Sequence, residues 1–150
     1  MVVQSFLQYI RFEKRFSANT VLAYENDLKQ FFEFQKKLYE VEAPGDINQS
    51  MVRSWMVSMM EKGVGARSVN RKITSLKTFY KFLLRRGDVK TNPLLKVISP
   101  KVSKRLPVFV DEAKMKLLFT EVNFGDGFDA IRDRLILELL YATGMRRAEL

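Results

Sequence analysis

Apolar residues recur along this chain at helical spacing, and the elements follow from that rhythm. Val3, Phe6, Leu7 and Ile10 form a stripe over residues 2–12, the period of about 3.6 that an amphipathic helix requires. Ser17 stands where an N-cap belongs, with a side chain able to accept a first-turn N–H. It opens a long helix reaching Tyr39, with Val21, Tyr24, Leu28, Phe31, Phe32 and Leu38 expected to face inward. Pro44-Gly45-Asp46 breaks the chain, as that residue chemistry does. Asn48 caps a third helix over 49–62, whose Val52, Trp55, Met56, Met59 and Met60 supply an apolar side, ended by Gly63. A fourth helix runs from Ala66 to Arg86 and stops at Gly87, and Asn92-Pro93 opens one further short turn. No run alternates for long enough to argue a sheet. The expected fold is all-α, built on a four-helix bundle.

The fourth helix has two unlike faces. At 100° per residue, Val69, Ile73, Leu76, Tyr80 and Leu83 share one side, while Arg67, Arg71, Thr74, Thr78, Lys81 and Arg85 fall within about 40° of the opposite line. Arginine can meet guanine or phosphate and threonine a base edge or methyl, so this face suits the major groove of DNA. A solubilising outer face is the plainer alternative. Against it stands the lack of any acidic residue between Lys62 and Arg86, because solvated helices normally mix signs.

Charge along the whole chain sharpens this picture. The formal net charge is +9, yet residues 60–106 alone hold 13 basic and 2 acidic side chains. Residues 1–59 balance at 7 against 7, and residues 107–150 hold 6 against 8. A field concentrated in one third of the chain attracts a polyanion and gives steeply salt-dependent affinity.

Residues 97–110 carry two prolines and three basic residues without helical rhythm, which reads as an extended connector. Asp111 then caps a helix containing Met115, Leu117, Leu118 and Phe119, and residues 128–142 form another. The core of the latter, Leu135–Tyr141, is apolar nearly all round, as in helices buried inside large domains. The expected organisation is a helical domain over 1–97, a linker over 98–110 and an unfinished domain over 111–150. Uncovered, residues 128–142 are expected to pair between copies or fold back on the chain.

Composition removes several chemistries. The chain has neither cysteine nor histidine, which excludes a Ser-His-Asp or Cys-His hydrolase and any thiolate or imidazole metal site. The lack of cysteine fits a reducing cytoplasm. No stretch approaches the roughly 18 apolar residues of a membrane span. Gly63-Val64-Gly65 lacks the lysine-serine of a phosphate loop, and Asp126-Gly127-Phe128-Asp129 lacks the carboxylates of a calcium loop. The methionines around Trp55 read as core filler.

Several stretches together resemble one family. Ser17-Ala18-Asn19-Thr20 with Tyr24 and Asp27-Leu28, and Ser68-Val69-Asn70-Arg71-Lys72-Ile73 with Leu76, Phe79-Tyr80 and Phe82-Leu83, are similar to two helices of tyrosine recombinases of the Xer and phage-integrase type. Asn92-Pro93 and Lys104-Arg105-Leu106-Pro107 resemble the end of the core-binding domain and the interdomain linker of that family. Arg132-Asp133 and Leu140-Tyr141-Ala142-Thr143-Gly144-Met145-Arg146 resemble the opening of its catalytic domain. The motifs occur in order along essentially the whole chain.

This resemblance implies a SAM-like core-binding bundle that grips double-stranded DNA, in an enzyme that closes around the duplex and works as a tetramer on two sites. Candidate DNA contacts are Asn19, Thr20, Arg67, Arg71, Lys72, Thr74, Thr78, Lys81, Arg85, Lys104 and Arg105. In the family a tyrosine attacks the phosphodiester and forms a 3′-phosphotyrosyl link, with no metal and no energy cofactor. Arg146 aligns with the first of two catalytic arginines, and Glu149 with an acidic residue that orients it. The position after the motif arginine is usually aliphatic and here is Arg147; Ala148 stands where serine is common. The family's hairpin lysine, His-x-x-Arg, second His or Trp and nucleophilic tyrosine all fall beyond Leu150. Tyr9, Tyr24, Tyr39, Tyr80 and Tyr141 read as core or boundary residues on helical stripes, so this stretch alone is expected to be inert. A non-catalytic DNA-binding or accessory protein is the alternative, and a bundle meeting an acidic protein partner is a third reading.

Overall fold

The computed structural model describes residues 2–103, 106 and 108–150. It divides into two compact units, Met1–Ser103 and Lys104–Leu150. Every regular element among the described residues is helical. In the first unit α1 (Val2–Gln8) runs directly into a π turn, Tyr9–Glu13. α2 (Ala18–Tyr39), a short 3-10 turn (Pro44–Asp46), α3 (Gln49–Glu61) and α4 (Ala66–Arg86) follow. The second unit holds α5 (Glu112–Glu121) and α6 (Phe128–Thr143).

The caps expected from the sequence form. Ser17 accepts from the Thr20 backbone N–H at 3.3 Å, and Asn48 Oδ1 accepts from that of Met51 at 3.1 Å. Gly87 closes α4 in the left-handed region at φ 78, a conformation that only glycine adopts without cost. The first helix departs from the expected single run over 2–12. Its last part widens into the π turn, which leaves Phe12 exposed and sets Tyr9 against α4, its ring 4.9 Å from that of Phe82. Such one-turn widenings re-aim side chains and recur at functional sites.

α2 packs on α1, α3 and α4, and α3 packs on α4. The core between them is aromatic: Phe6 meets Phe79 edge-on at 5.2 Å, and Phe31 meets Trp55 edge-on at 5.0 Å. Each such pair adds about 1 kcal/mol beyond its buried area. Val69, Ile73, Leu76, Tyr80 and Leu83, the inward face read from the sequence, are all buried. Leu38 and Met60, expected inward, are instead exposed. At 100° per residue Leu38 turns about 80° away from Leu28, and Met60 about 80° away from Val52, so each sits at the edge of its helix's buried side. Beyond α4, Val89, Leu94 and Val97 return to the core. The chain there is pinned by Gln49 Nε2 donating to Lys96 O at 2.7 Å and Asn70 Nδ2 donating to Pro100 O at 2.9 Å.

The second unit has a different character. None of its described residues is buried, and Phe128, Ile131 and Leu135 on α6 are exposed. Phe119 and Tyr141 bring α5 and α6 together, with ring centres 5.9 Å apart. Leu117 on α5 is also exposed.

Tyr80 is fully buried and donates its hydroxyl to Pro44 O at 3.0 Å. Burial raises its pKa above the ordinary 10.0, so the unfolded chain releases the phenol proton first. The folded state therefore loses stability as pH rises above about 10. In thermal melts, Tyr80→Phe should cost about 1 kcal/mol at neutral pH through the lost hydrogen bond and should flatten the decline at alkaline pH.

Candidate nucleic-acid interface

The outer face of α4 is held in register by one buried carboxylate. Asp27 on α2 is 1% exposed, yet it accepts four hydrogen bonds from α4. Arg71 donates through Nη1 at 2.7 Å and Nη2 at 2.8 Å, Lys72 Nζ donates at 2.9 Å, and the Ser75 hydroxyl donates at 2.8 Å. The bidentate fork fixes the guanidinium plane. The Arg71 side chain nevertheless remains half-exposed, so its outer edge faces solvent. Lys72 is only 14% exposed and bonds Gln30 as well, so its ammonium lies on α2 and not on the outer face.

Along the rest of that face the side chains are less constrained. Arg67 and Lys81 are exposed and pair with no carboxylate among the described residues. Thr74 and Thr78 donate their hydroxyls back to Asn70 O at 2.9 Å and Thr74 O at 3.0 Å. Their protons are thus used within α4, and what they present outward is an acceptor oxygen and a methyl group. Asn19 is exposed on the first turn of α2, where Thr20 is half-buried with its hydroxyl bonded to Ser17 Oγ at 2.8 Å. Lys104 and Arg105 lie outside the described residues.

At the C-terminal half of α4 a groove of about 310 Å³ opens between Lys77, Thr78, Lys81 and Arg85 on one side and Tyr9, Lys14 and Phe16 on the other. Phe16 immediately precedes the Ser17 cap, so the start of α2 and the end of α4 come together here. Arg85 donates to the Tyr9 hydroxyl and stacks its guanidinium 5.1 Å from the Tyr9 ring centre. That hydrogen bond first, then the Arg85 and Lys14 charges, hold the Tyr9 phenol below its ordinary value of 10.0. Tyr9, Lys14 and Lys77 were not among the contacts expected from sequence. Tyr9 sits on the stripe of the first helix, and Lys14 lies between helices where no periodicity points. Lys77 was legible as an i, i+4 neighbour of Lys81, but it falls outside the 40° band.

In the second unit, Gly144 ends α6 in the left-handed region at φ 66. Arg146 follows in a turn, with its side chain 85% exposed and Nη1 3.0 Å from Glu149 Oε1. The same carboxylate accepts the Arg146 backbone N–H at 2.8 Å. Among the described residues no group of acidic side chains is placed to hold a metal ion, and no helix is long and apolar enough to cross a membrane.

This helical bundle is of the phage-integrase class: residues 3–87 match the phage integrase N-terminal SAM-like domain, and the chain belongs to that family. Its relatives are tyrosine recombinases. The chain is 38% identical over 149 residues to tyrosine recombinase XerC of Bacillus pumilus, a match covering 99% of this chain and 48% of that protein. It is 36% identical over 168 residues to tyrosine recombinase XerC of Chlorobaculum parvum, covering 99% and 50%. With that of Leptospira interrogans it shares 40% identity over 154 residues, covering 98% and 47%. The chain thus spans about half the length of these curated relatives.

Removing the Asp27 carboxylate takes away the ionic link between α2 and α4 while their aromatic packing remains. Water screens the half-exposed Arg71 bonds, so most of the loss comes from Lys72 and Ser75. Asp27→Ala should lower stability by about 2–3 kcal/mol, read as a lower urea midpoint with an unchanged slope.

Proposed function

We propose that this chain is the DNA-binding N-terminal part of a site-specific tyrosine recombinase. One observation carries the reading. Residues 62–86 contain no acidic side chain, and Arg67, Lys77 and Lys81 project from α4 with no ion pair among the described residues. A helix of 21 residues is about 32 Å long, and its diameter of about 10–12 Å matches the roughly 12 Å width of a major groove. Arg67, Lys81 and Arg85 would meet phosphates, Thr74 and Thr78 would offer acceptors and methyls to base edges, and the outer edge of Arg71 would reach guanine or phosphate. Asn19, Thr20, Lys104 and Arg105 would extend the contact along the backbone.

In the whole recombinase we assign Arg146 to stabilising charge on the phosphorus centre during tyrosine attack. Its pairing with Glu149 supports an orienting role for that carboxylate. The phosphodiester energy is conserved in the covalent link, so the reaction calls on no metal and no energy cofactor. We place the enzyme in the cytoplasm, as a tetramer on two DNA sites. The uncovered apolar face of α6 supports self-association of this chain through residues 128–142. Light scattering should then show mass rising with concentration, and Ile131→Glu with Leu135→Glu should abolish the rise. A clean monomer at all concentrations would reject that pairing.

DNA binding is tested by anisotropy of a labelled duplex at several salt concentrations. The logarithm of affinity should fall linearly with the logarithm of salt. Arg67→Gln with Lys81→Gln should reduce the slope by about 1.8, or 0.9 for each lost phosphate contact. A flat titration at low salt would sink the assignment.

A further inference from the structure

We propose that the groove between the π turn and the C-terminal half of α4 is a preformed phosphate site, with Tyr9 as its hydroxyl donor and Lys14, Lys77, Lys81 and Arg85 as its cations. For the source of the phosphate, a DNA backbone, the proposal rests on the DNA-binding reading.

The groove collects four cations, and none of them is within 4.0 Å of a carboxylate among the described residues. Lys77, Lys81 and Arg85 stand at successive i, i+4 positions of α4, where like charges destabilise a helix. Lys14 adds a fourth positive charge from the facing wall. Elsewhere on the same helix Asp27 offsets the charge of Arg71 and Lys72; here no carboxylate forms an ion pair with the four cations among the described residues. A bound anion would relieve that repulsion.

The groove is also shaped before any ligand arrives. Tyr9 lies against Phe82, which is buried, so the phenol ring cannot swing freely. Its oxygen accepts from Arg85, and its own proton has no acceptor among the described residues. The hydroxyl is therefore a fixed donor flanked by a guanidinium and, 5.9 Å from the ring centre, by the Lys14 ammonium. A phosphate group offers several oxygens that can accept from all of these at once. At about 310 Å³ the groove lies at the small end of ligand sites, suited to one phosphate and its sugar flanks. One carboxylate, Glu13, lines the neighbouring groove together with Tyr9, Arg85 and Arg86, but it forms no ion pair with Arg85 or Lys14 among the described residues.

The test uses the full chain, with melting by circular dichroism to confirm that each variant folds. In duplex anisotropy, Lys14→Gln with Lys77→Gln should lower affinity about tenfold at moderate salt and reduce the salt slope by about 0.9 or more. Tyr9→Phe keeps the ring and the charges, so affinity should fall about three- to tenfold with the slope unchanged. A second arm titrates inorganic phosphate at constant ionic strength and follows backbone amide shifts. Shifts at residues 9–16 and 77–85 that vanish in the lysine variant support the site for free phosphate; a response to duplex alone assigns it to the DNA backbone. If the wild-type chain binds duplex and the three substitutions change neither affinity nor slope, the groove proposal is overturned while DNA binding stands. If phosphate shifts the groove but no duplex binds at low salt, the DNA reading fails and the phosphate site stands. Silence in both arms rejects both.

Discussion

A carboxylate taken out of water must find partners, and in this bundle Asp27 finds all of them on one neighbouring helix. Its two oxygens accept from Arg71, Lys72 and Ser75, which fixes the axial register of α4 against α2 more tightly than apolar side chains could. Aromatic packing is tolerant of small slides; a buried ion with several directed bonds is not. The outward face of α4 follows from that register. Arg67, Thr74, Thr78 and Lys81 point away from the core because Ser75 and Lys72 are held toward it.

The same interaction divides the charge of α4. Around Arg71 and Lys72 one negative charge stands against two positive ones, and the guanidinium is already fixed in place. A long side chain normally gives up rotamer freedom on binding, at a cost of about 2 kcal/mol. For Arg71 that freedom is spent during folding. The C-terminal half of the helix behaves in the opposite way: Arg86 pairs with Asp88, but Lys77, Lys81 and Arg85 have no ion pair among the described residues. One end of α4 is thus geometrically prepared and the other electrostatically prepared.

The helices themselves were largely legible in the sequence because each signal there is local. Ser17, Asn48 and Asp111 cap as their side chains dictate, Gly87 and Gly144 close their helices, and the Val69–Leu83 stripe faces the core. What escaped depends on tertiary placement. The π turn at Tyr9–Glu13 changes which residue meets α4, and apolar spacing alone does not distinguish it from a continuous α-helix. Leu38 and Met60 fall at the edge of their helical stripes, where the 100° step turns them toward solvent while Tyr39 and Met59 beside them face the bundle. On the interface, Arg71 and Lys72 are adjacent in sequence and were grouped together, yet a step of 100° turns the lysine onto α2. The part played by Tyr9 and Lys14 needed knowledge of which distant helix they touch.

Phe6 lies near the start of the chain, and its ring partners include Phe79 and Phe82 near the end of α4. Tyr9 likewise reaches Arg85, 76 residues away. During synthesis α1 can pack on α2 as soon as that helix is made, but its ring contacts with α4 wait until the last helix of the bundle is complete. At about 5–20 residues per second, that interval lasts several seconds, during which the side of α1 that will meet Phe79 and Phe82 is uncovered. Closure of the bundle is a late event that joins its first helix to its fourth. The same event builds both walls of the cationic groove, so the groove exists only once the bundle is complete.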